Sequence, residues 1–236
     1  MDTSLFGDDE ADDERLDRVL GAADSLDLPT SADVDRVYPR LVPAGLATDE
    51  HGWGYATSTL PGTATVYVYD LPDIFYYLNS DRVAEHGADV LADAATHNLR
   101  TAELDEPEPL DDGVWGVTGA HAGASALILP EAIWRCTGET EFPEGVLFAA
   151  PTNGVLLYHV PRDAGIAAAL ENLALLAVTA FDNDERRRVT PAAFWWDGVD
   201  EVTQVSNVDP DTEQIDIYMS GEFEEMYSRL LTRPAD

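Results

Sequence analysis

The side chains of this chain that could do chemistry are concentrated in one segment of small residues, Thr118-Gly119-Ala120-His121-Ala122-Gly123-Ala124-Ser125. A His and a Ser can act as general base and nucleophile when the fold brings their side chains into contact. The nucleophile-elbow pattern Gly-x-Ser-x-Gly is incomplete, because Leu127 stands where the second Gly belongs. Two interpretations stay open: a hydrolase-like site at His121 and Ser125, or a serine within a strand whose hydroxyl bonds a neighbouring group.

Asp70 and Asn98 are further candidates because of their positions. Asp70 ends the predicted strand 63–70, and Asn98 is polar on an otherwise apolar stripe of the predicted helix 89–102. Each has an alternative structural role, a cap or turn bond for Asp70 and a buried backbone bond for Asn98, since buried polar groups normally have such partners. The candidate ligand-binding residues are therefore Asp70, Asn98, His121 and Ser125.

The sequence offers no metal or cofactor motif. Its five His residues are scattered, and neither a His-Glu-x-x-His motif nor a pair of Cys residues is present. The chain has no Lys and so lacks the Gly-Lys-Ser/Thr ending of a phosphate-binding loop. Cys136 falls in an apolar helical stretch, where a free thiol usually packs as a small core residue. We therefore expect no metal site and no cofactor.

The strongest compositional signal is acidity: 46 Asp and Glu residues stand against 13 basic residues, all of them Arg, for a formal net charge of −33. Self-repulsion of this size opposes a folded state in dilute buffer, whereas near molar salt the screening length falls to about 3 Å. The acids are spread along the chain instead of gathered in a tail, as a nucleic-acid mimic or acidic chaperone would need. The composition predicts adaptation to a salt-rich cytoplasm.

The charge also argues against nucleic-acid binding, because no basic patch is available to replace phosphate counterions. The one basic cluster, Arg186-Arg187-Arg188, has acidic neighbours and is interpreted as a helix C-terminus or a site of local ion pairing. No apolar segment follows Met1, and no apolar run reaches the length of a bilayer span. We expect a cytoplasmic protein that does not contact a membrane.

Hydrophobic periodicity supplies the elements that position these residues. The predicted strands cover residues 63–70, 114–117, 124–129, 145–149, 155–159, 193–196, 202–205 and 215–219, and the predicted helices 14–26, 32–38, 89–102, 166–181 and 222–231. Strands and helices are clustered and do not alternate strictly, which favours an α+β fold with a mixed, largely antiparallel sheet and helices packed on it. The Asn153-Gly154 pair predicts a tight hairpin through its positive φ angles.

The predicted domain organisation is simple. Residues 1–12 are acidic and have little to bury, so we expect them to be disordered, and residues 13–236 form a single α+β domain. The acidic, proline-containing loop 103–112 is the best candidate for an internal boundary, and residues 206–213 are expected to form a polar loop. Because alternate residues of a strand face opposite sides, one of Trp195 and Trp196 is expected to point away from the core. A homodimer through Trp195 or the C-terminal helix follows as a prediction.

Several short segments together resemble a known family. They are Tyr38-Pro39-Arg40-Leu41, Tyr67-Val68-Tyr69-Asp70, His97-Asn98-Leu99, Ala124-Ser125-Ala126-Leu127-Ile128-Leu129 with Ile133-Trp134, Ala149-Ala150-Pro151, and Thr190-Pro191-Ala192-Ala193-Phe194. In this order they are similar to the YtpQ-type family of cytosolic proteins. The resemblance implies a compact α+β protein and no particular reaction, cofactor or substrate, so no residue role is carried over.

These observations favour a non-enzymatic domain that binds an unknown small molecule or protein partner. The alternative is a hydrolase-like enzyme with its site around His121 and Ser125. The contacts of the His121 imidazole distinguish the two, because a catalytic base must reach its nucleophile within an accessible pocket.

Overall fold

The computed structural model describes residues 34–71, 74–209, 212 and 214–234. The predicted disordered segment 1–12 and the predicted helix 14–26 lie outside these residues. Within them, two antiparallel sheets and five α-helices make up most of the structure, which confirms the α+β fold class.

The first sheet is built around one long strand. Its strands are β1 (Val37–Pro43), β2 (Thr57–Ser58), β3 (Thr63–Leu71) and β4 (Ile74–Tyr77). β3 pairs with β1 along one side and with β2 and β4 along the other, all antiparallel. The predicted helix 32–38 is wrong, because only Val34–Arg36 forms a 3₁₀ turn before β1 begins. Pro39 disfavours helical geometry in the residue before it, and β1 accommodates this preference.

The outer edge of β1 is covered by two side-chain amides. Asn153 Oδ1 accepts from the Leu41 N–H at 3.2 Å, and Asn153 Nδ2 donates to the Leu41 carbonyl at 2.9 Å. Asn98 Nδ2 donates to the carbonyls of Val34 and Val37 at 2.7 and 2.8 Å. Pro39 has no N–H to satisfy on this edge. The amides thus replace the strand that the edge would otherwise pair with.

Two helices, α1 (Ser80–His86) and α2 (Ala88–Thr101), pack on one face of the first sheet. Asn79 is the N-cap of α1, since its side chain accepts from the Arg82 N–H at 3.0 Å. The apolar residues of α2 that face the sheet include Leu91 and Ala95. The opposite face of the sheet carries Arg40 and is described with the candidate site.

The second sheet has six strands, in the order β10-β9-β7-β8-β6-β5, again all antiparallel. They are β5 (Glu108–Pro109), β6 (Trp115–Thr118), β7 (Val146–Thr152), β8 (Val155–His159), β9 (Phe194–Trp196) and β10 (Val202–Gln204). The acidic loop 103–112 joins this sheet through β5. The β7–β8 hairpin is confirmed, but neither Asn153 nor Gly154 takes a positive φ. A register shift before the turn and the Asn153 side-chain bonds produce a different turn geometry.

Helices cover both faces of the second sheet. One face packs on α4 (Ile166–Asn183) and α5 (Gly221–Leu230), and the other packs on α3 (Leu129–Thr137). The predicted strand 124–129 is wrong, because Gly123–Ile128 forms a 3₁₀ helix that leads into α3. A Cβ at position 123 would collide with the Thr152 carbonyl, so glycine permits the close contact with the β7–β8 hairpin on which this turn depends.

One prediction near the C-terminus is corrected. Residues 206–208 are not an irregular loop, because β11 (Ser206–Val208) pairs with β12 (Ile215–Ile217). Trp195 is 5% exposed and packs on Phe223, and a homodimer through it or the C-terminal helix stays a prediction. Trp196 faces the other side of the strand and is partly exposed, as the alternation of strand side chains predicts.

One described helix, α4, is long and apolar enough to cross a membrane by length and composition alone. The core helix of a globular domain meets the same criteria, and α4 buries Ile166, Leu170 and Leu173 against the second sheet. Packing on the second sheet accounts for this buried face of the helix.

Candidate functional site

The structure brings together two of the predicted site residues, Asp70 and His121. Nε2 of His121 lies 2.9 Å from Oδ2 of Asp70, across 51 residues of sequence. Asp70 lies near the end of β3, and His121 lies in the turn between β6 and the 3₁₀ helix. The Asp70 carboxylate thus bonds His121, in a turn beside the second sheet, instead of forming the cap or turn bond predicted for it.

Aromatic rings hold the His121 imidazole on two sides. Tyr38 stacks on it with ring centroids 3.9 Å apart and an interplanar angle of 13°. Phe75 meets it edge-on, at 5.6 Å and 81°. The residue is 4% exposed, and its Nδ1 is buried without a hydrogen-bond partner among the described residues. The imidazole is thus fixed in position with one unused nitrogen.

Burial lowers the pKa of His121 because the charged imidazolium loses its hydration. The bond to Asp70 opposes this shift, and the positive charge of Arg40 adds to it. The neutral imidazole therefore dominates near pH 7, with Nε2–H donating to Asp70 and Nδ1 available as an acceptor. Burial also raises the pKa of the Tyr38 hydroxyl, and the Asp70 charge raises it further.

Arg40 lies beside this pair and is the most unusual residue of the region. It is 3% exposed, and its guanidinium carbon lies 3.9 Å from the centroid of the Phe75 ring. Nη1 donates to the Ala120 carbonyl at 3.3 Å, whereas Nε is buried and has no hydrogen-bond partner among the described residues. Among the residues with described positions, no carboxylate forms a salt bridge with it.

Strand register explains why these side chains meet. Arg40 pairs with Val66 and Tyr38 with Val68, so both side chains lie on one face of the first sheet. Asp70 pairs with Phe75 on that same face. We refer to Tyr38, Arg40, Asp70, Phe75 and His121 as the Arg40 cluster.

The turn that delivers His121 depends on its small residues. Gly119 has a φ of +144°, and a Cβ there would lie 3.2 Å from the Glu103 carbonyl oxygen. Its N–H donates to the Gly154 carbonyl at 3.3 Å, which ties the turn to the β7–β8 hairpin. The Gly-rich composition that marked this segment in the sequence therefore serves to place His121 over the first sheet.

Ser125 does not form a catalytic pair with His121. Its hydroxyl is fully buried and donates to the main-chain carbonyl of His121 at 3.2 Å, not to the imidazole. This bond closes the first turn of the 3₁₀ helix. The geometry gives Ser125 a structural contact with the His121 backbone and not with the imidazole.

Asn98 lies apart from the Arg40 cluster. Its side chain serves the edge of β1, which agrees with the structural role weighed from the sequence. Sequence reasoning missed Arg40, Tyr38 and Phe75 as site residues. The available signal was an Arg two residues from a Tyr in a short apolar stretch, a spacing that places both on one face of a strand.

Two surface clefts lie elsewhere. A cleft of about 270 Å³ between the first sheet and α2 is lined mainly by Thr and apolar side chains. Another, of about 260 Å³, lies beside Trp196. Neither is lined by a residue of the Arg40 cluster. Within the described ranges, no group of three or more His, Cys, Asp or Glu residues is placed to hold a metal ion.

Comparison with protein-family models, with curated proteins and with solved structures gave no match. The resemblance to the YtpQ-type family therefore stays a prediction. Function has to be inferred from the contacts of the site itself.

Proposed function

We propose that this protein is a non-enzymatic binding domain of a salt-adapted cytoplasm, and that it takes a small hydroxylated carboxylate at the Arg40 cluster. The observation that carries the proposal is the buried guanidinium of Arg40, which has no carboxylate partner among the described residues. None of the described acidic residues forms a salt bridge with it. The missing negative charge is accordingly assigned to a ligand.

Energetics support this assignment. Buried charges are normally paired, because an unpaired ion in a low-dielectric environment costs several kcal/mol. Of the five N–H donors of Arg40, the described structure pairs one, to a neutral carbonyl. A carboxylate could accept from Nε and a neighbouring nitrogen together, the bidentate arrangement for which the guanidinium fork is suited.

The second unused atom defines the ligand further. Nδ1 of His121 is a buried acceptor when Asp70 holds the proton on Nε2. Arg40 and His121 both contact the Phe75 ring, so one small molecule with a carboxylate and a hydroxyl would satisfy both. Lactate is the simplest probe with both groups.

Phe75 controls access to this site. Its ring lies over the Arg40 guanidinium and is partly exposed. Binding requires the ring to rotate away and the carboxylate to replace the cation–π contact. That exchange is favourable if the carboxylate makes two charge-assisted hydrogen bonds, at about 1.5–3 kcal/mol each, in place of one desolvated cation–π contact of about 2 kcal/mol.

The contacts support binding over hydrolysis. His121 has a carboxylate to orient it, but Ser125 bonds the backbone and offers no nucleophile.

Calorimetric titration in molar KCl tests the proposal. We expect lactate to bind, and propionate to bind several-fold more weakly because it lacks the hydroxyl. Lactate should be recovered unchanged, since the domain is proposed to bind it without a reaction. Arg40→Gln should weaken lactate binding at least about tenfold, because charged hydrogen bonds contribute about 1.5–3 kcal/mol. Arg82→Gln is the matched control, since Arg82 is exposed and paired with Glu85. Equal losses in the two variants, or preferential binding of inorganic phosphate, would contradict this ligand class.

A further inference from the structure

The cleft beside Trp196 is lined by apolar residue types and one acid. Nine residues line it, and eight of them are apolar. They are Ala126, Leu127, Leu129, Pro130, Phe148, Trp196, Val199 and Val202. The ninth is Asp200, and no basic side chain takes part. An indole, several apolar side chains and one carboxylate therefore line a cleft of about 260 Å³.

The Trp196 side of the cleft is held in place before any ligand binds. Trp196 Nε1 donates to the Val199 carbonyl at 3.2 Å, which fixes the indole against the tip of the β9–β10 hairpin. Phe142 meets the ring at 5.8 Å and 62°. Preorganisation of this kind reduces the entropy lost on binding.

The lip that carries Asp200 is also fixed. Oδ1 of Asp197 accepts from the N–H groups of Val199 and Glu201, at 2.8 and 3.0 Å. Asp200 lies between these two anchored residues, so its backbone position is set by the hairpin tip. Val199 is 72% exposed at the same lip. An exposed apolar side chain is more costly where salting-out ions raise the free energy of apolar hydration.

We infer that this cleft binds a small organic cation with apolar substituents, such as a quaternary ammonium group. Indole is the best side-chain platform for a cation, and aromatic surfaces are used to recognise quaternary ammonium ligands. The carboxylate of Asp200 supplies the opposite charge at the rim. A bound ligand that covers the Val199 side chain also removes apolar surface from water, which favours binding.

Choline and its neutral carbon isostere 3,3-dimethyl-1-butanol separate this proposal from simple apolar binding. The full chain, labelled with ¹⁵N, is titrated in molar KCl and its tryptophan indole N–H signals are recorded by NMR. Choline should shift the Trp196 signal. We expect choline to bind at least about threefold more tightly than the isostere, given the cation–π contribution at exposed sites. The Trp196→Phe variant identifies the Trp196 signal by its absence. The spectrum of the wild-type protein without choline shows the signals of the folded, unbound state.

The contribution of Asp200 is tested by Asp200→Asn against Asp93→Asn. Asp93 is exposed on α2, away from the cleft, so both changes remove one surface charge. Weaker choline binding in Asp200→Asn alone supports the site. The proposal is overturned if choline leaves the Trp196 signal unmoved, if the neutral isostere binds equally well, or if Asp93→Asn weakens choline binding by the same factor.

Discussion

Asn153 bonds both main-chain groups of Leu41, at 3.2 and 2.9 Å, and so joins the turn of the β7–β8 hairpin to the open edge of β1. Its own N–H donates to the Arg187 carbonyl at 2.9 Å, and its carbonyl accepts from the Gly123 N–H at 3.1 Å. The residue therefore connects the first sheet, the second sheet and the turn that delivers His121. The position of the Arg40 cluster depends on this connection.

Asn153→Ala should lower the free energy of unfolding by about 2 kcal/mol, because it leaves a buried N–H and carbonyl of Leu41 without partners. Denaturant unfolding in molar KCl measures the change. Asn207→Ala is a control, since Asn207 is a partly buried Asn of β11 outside this connection. Equal destabilisation by the two changes would show that Asn153 has no special role.

Glu144 is expected to hold the C-terminal helix. Its carboxylate is 8% exposed and pairs with Arg229 and Arg233, the latter at 2.9 Å. Glu144→Gln should speed hydrogen exchange of the α5 amides and cost about 1–2 kcal/mol, a modest figure because both Arg side chains are half exposed. Glu131→Gln removes a more exposed acid that pairs with Arg100 and serves as the comparison. Unchanged exchange in α5 would mean that apolar packing alone holds it.

Stability should decrease as the pH falls below about 6.5, the ordinary pKa of His. The pKa of His121 is lowered by burial, so between its folded and unfolded pKa values the unfolded chain binds more protons. The stabilisation is therefore complete above 6.5 and is lost as the pH falls toward the folded value. The pKa of His159 is lowered in the same direction and adds to the slope. His121→Gln should reduce the slope of unfolding free energy against pH, whereas replacement of the exposed His97 should not.

High salt is expected to stabilise the fold. The formal net charge of −33 produces repulsion that is screened over about 3 Å near molar salt and over about 10 Å at 0.1 M. Thermal unfolding in KCl should therefore shift to higher temperature as salt rises from 0.1 M to molar concentrations. The same midpoint at both concentrations would contradict salt adaptation.

Much of the fold was predictable because its signals are local. β8 matches its predicted bounds of 155–159, and α4 follows its predicted apolar face. The 3₁₀ helix Gly123–Ile128 was mistaken for a strand, since an apolar run of small residues carries no period that distinguishes the two. Its geometry depends on contact with Thr152, which is distant in sequence.

The sequence predicted only part of the candidate site, because residue type is visible in a sequence and long-range contacts are not. Asp70 and His121 were identified from residue type and position, but their bond crosses 51 residues and required the three-dimensional structure. Arg40 was overlooked because its sequence neighbours look like an ordinary strand. Among the described arginines, Arg40 is the buried one, and burial is a property of the folded chain that the sequence does not show.

The most direct test of the Arg40 proposal is the Nε–H resonance of Arg40 in ¹⁵N-arginine-labelled protein, in molar KCl. Burial should keep this signal protected from exchange, and Arg40→Lys identifies it by its absence. The account predicts that lactate shifts the Arg40 signal in a saturable way and leaves that of Arg82 in place. A protected Arg40 signal that stays unchanged through saturating lactate would contradict the proposal.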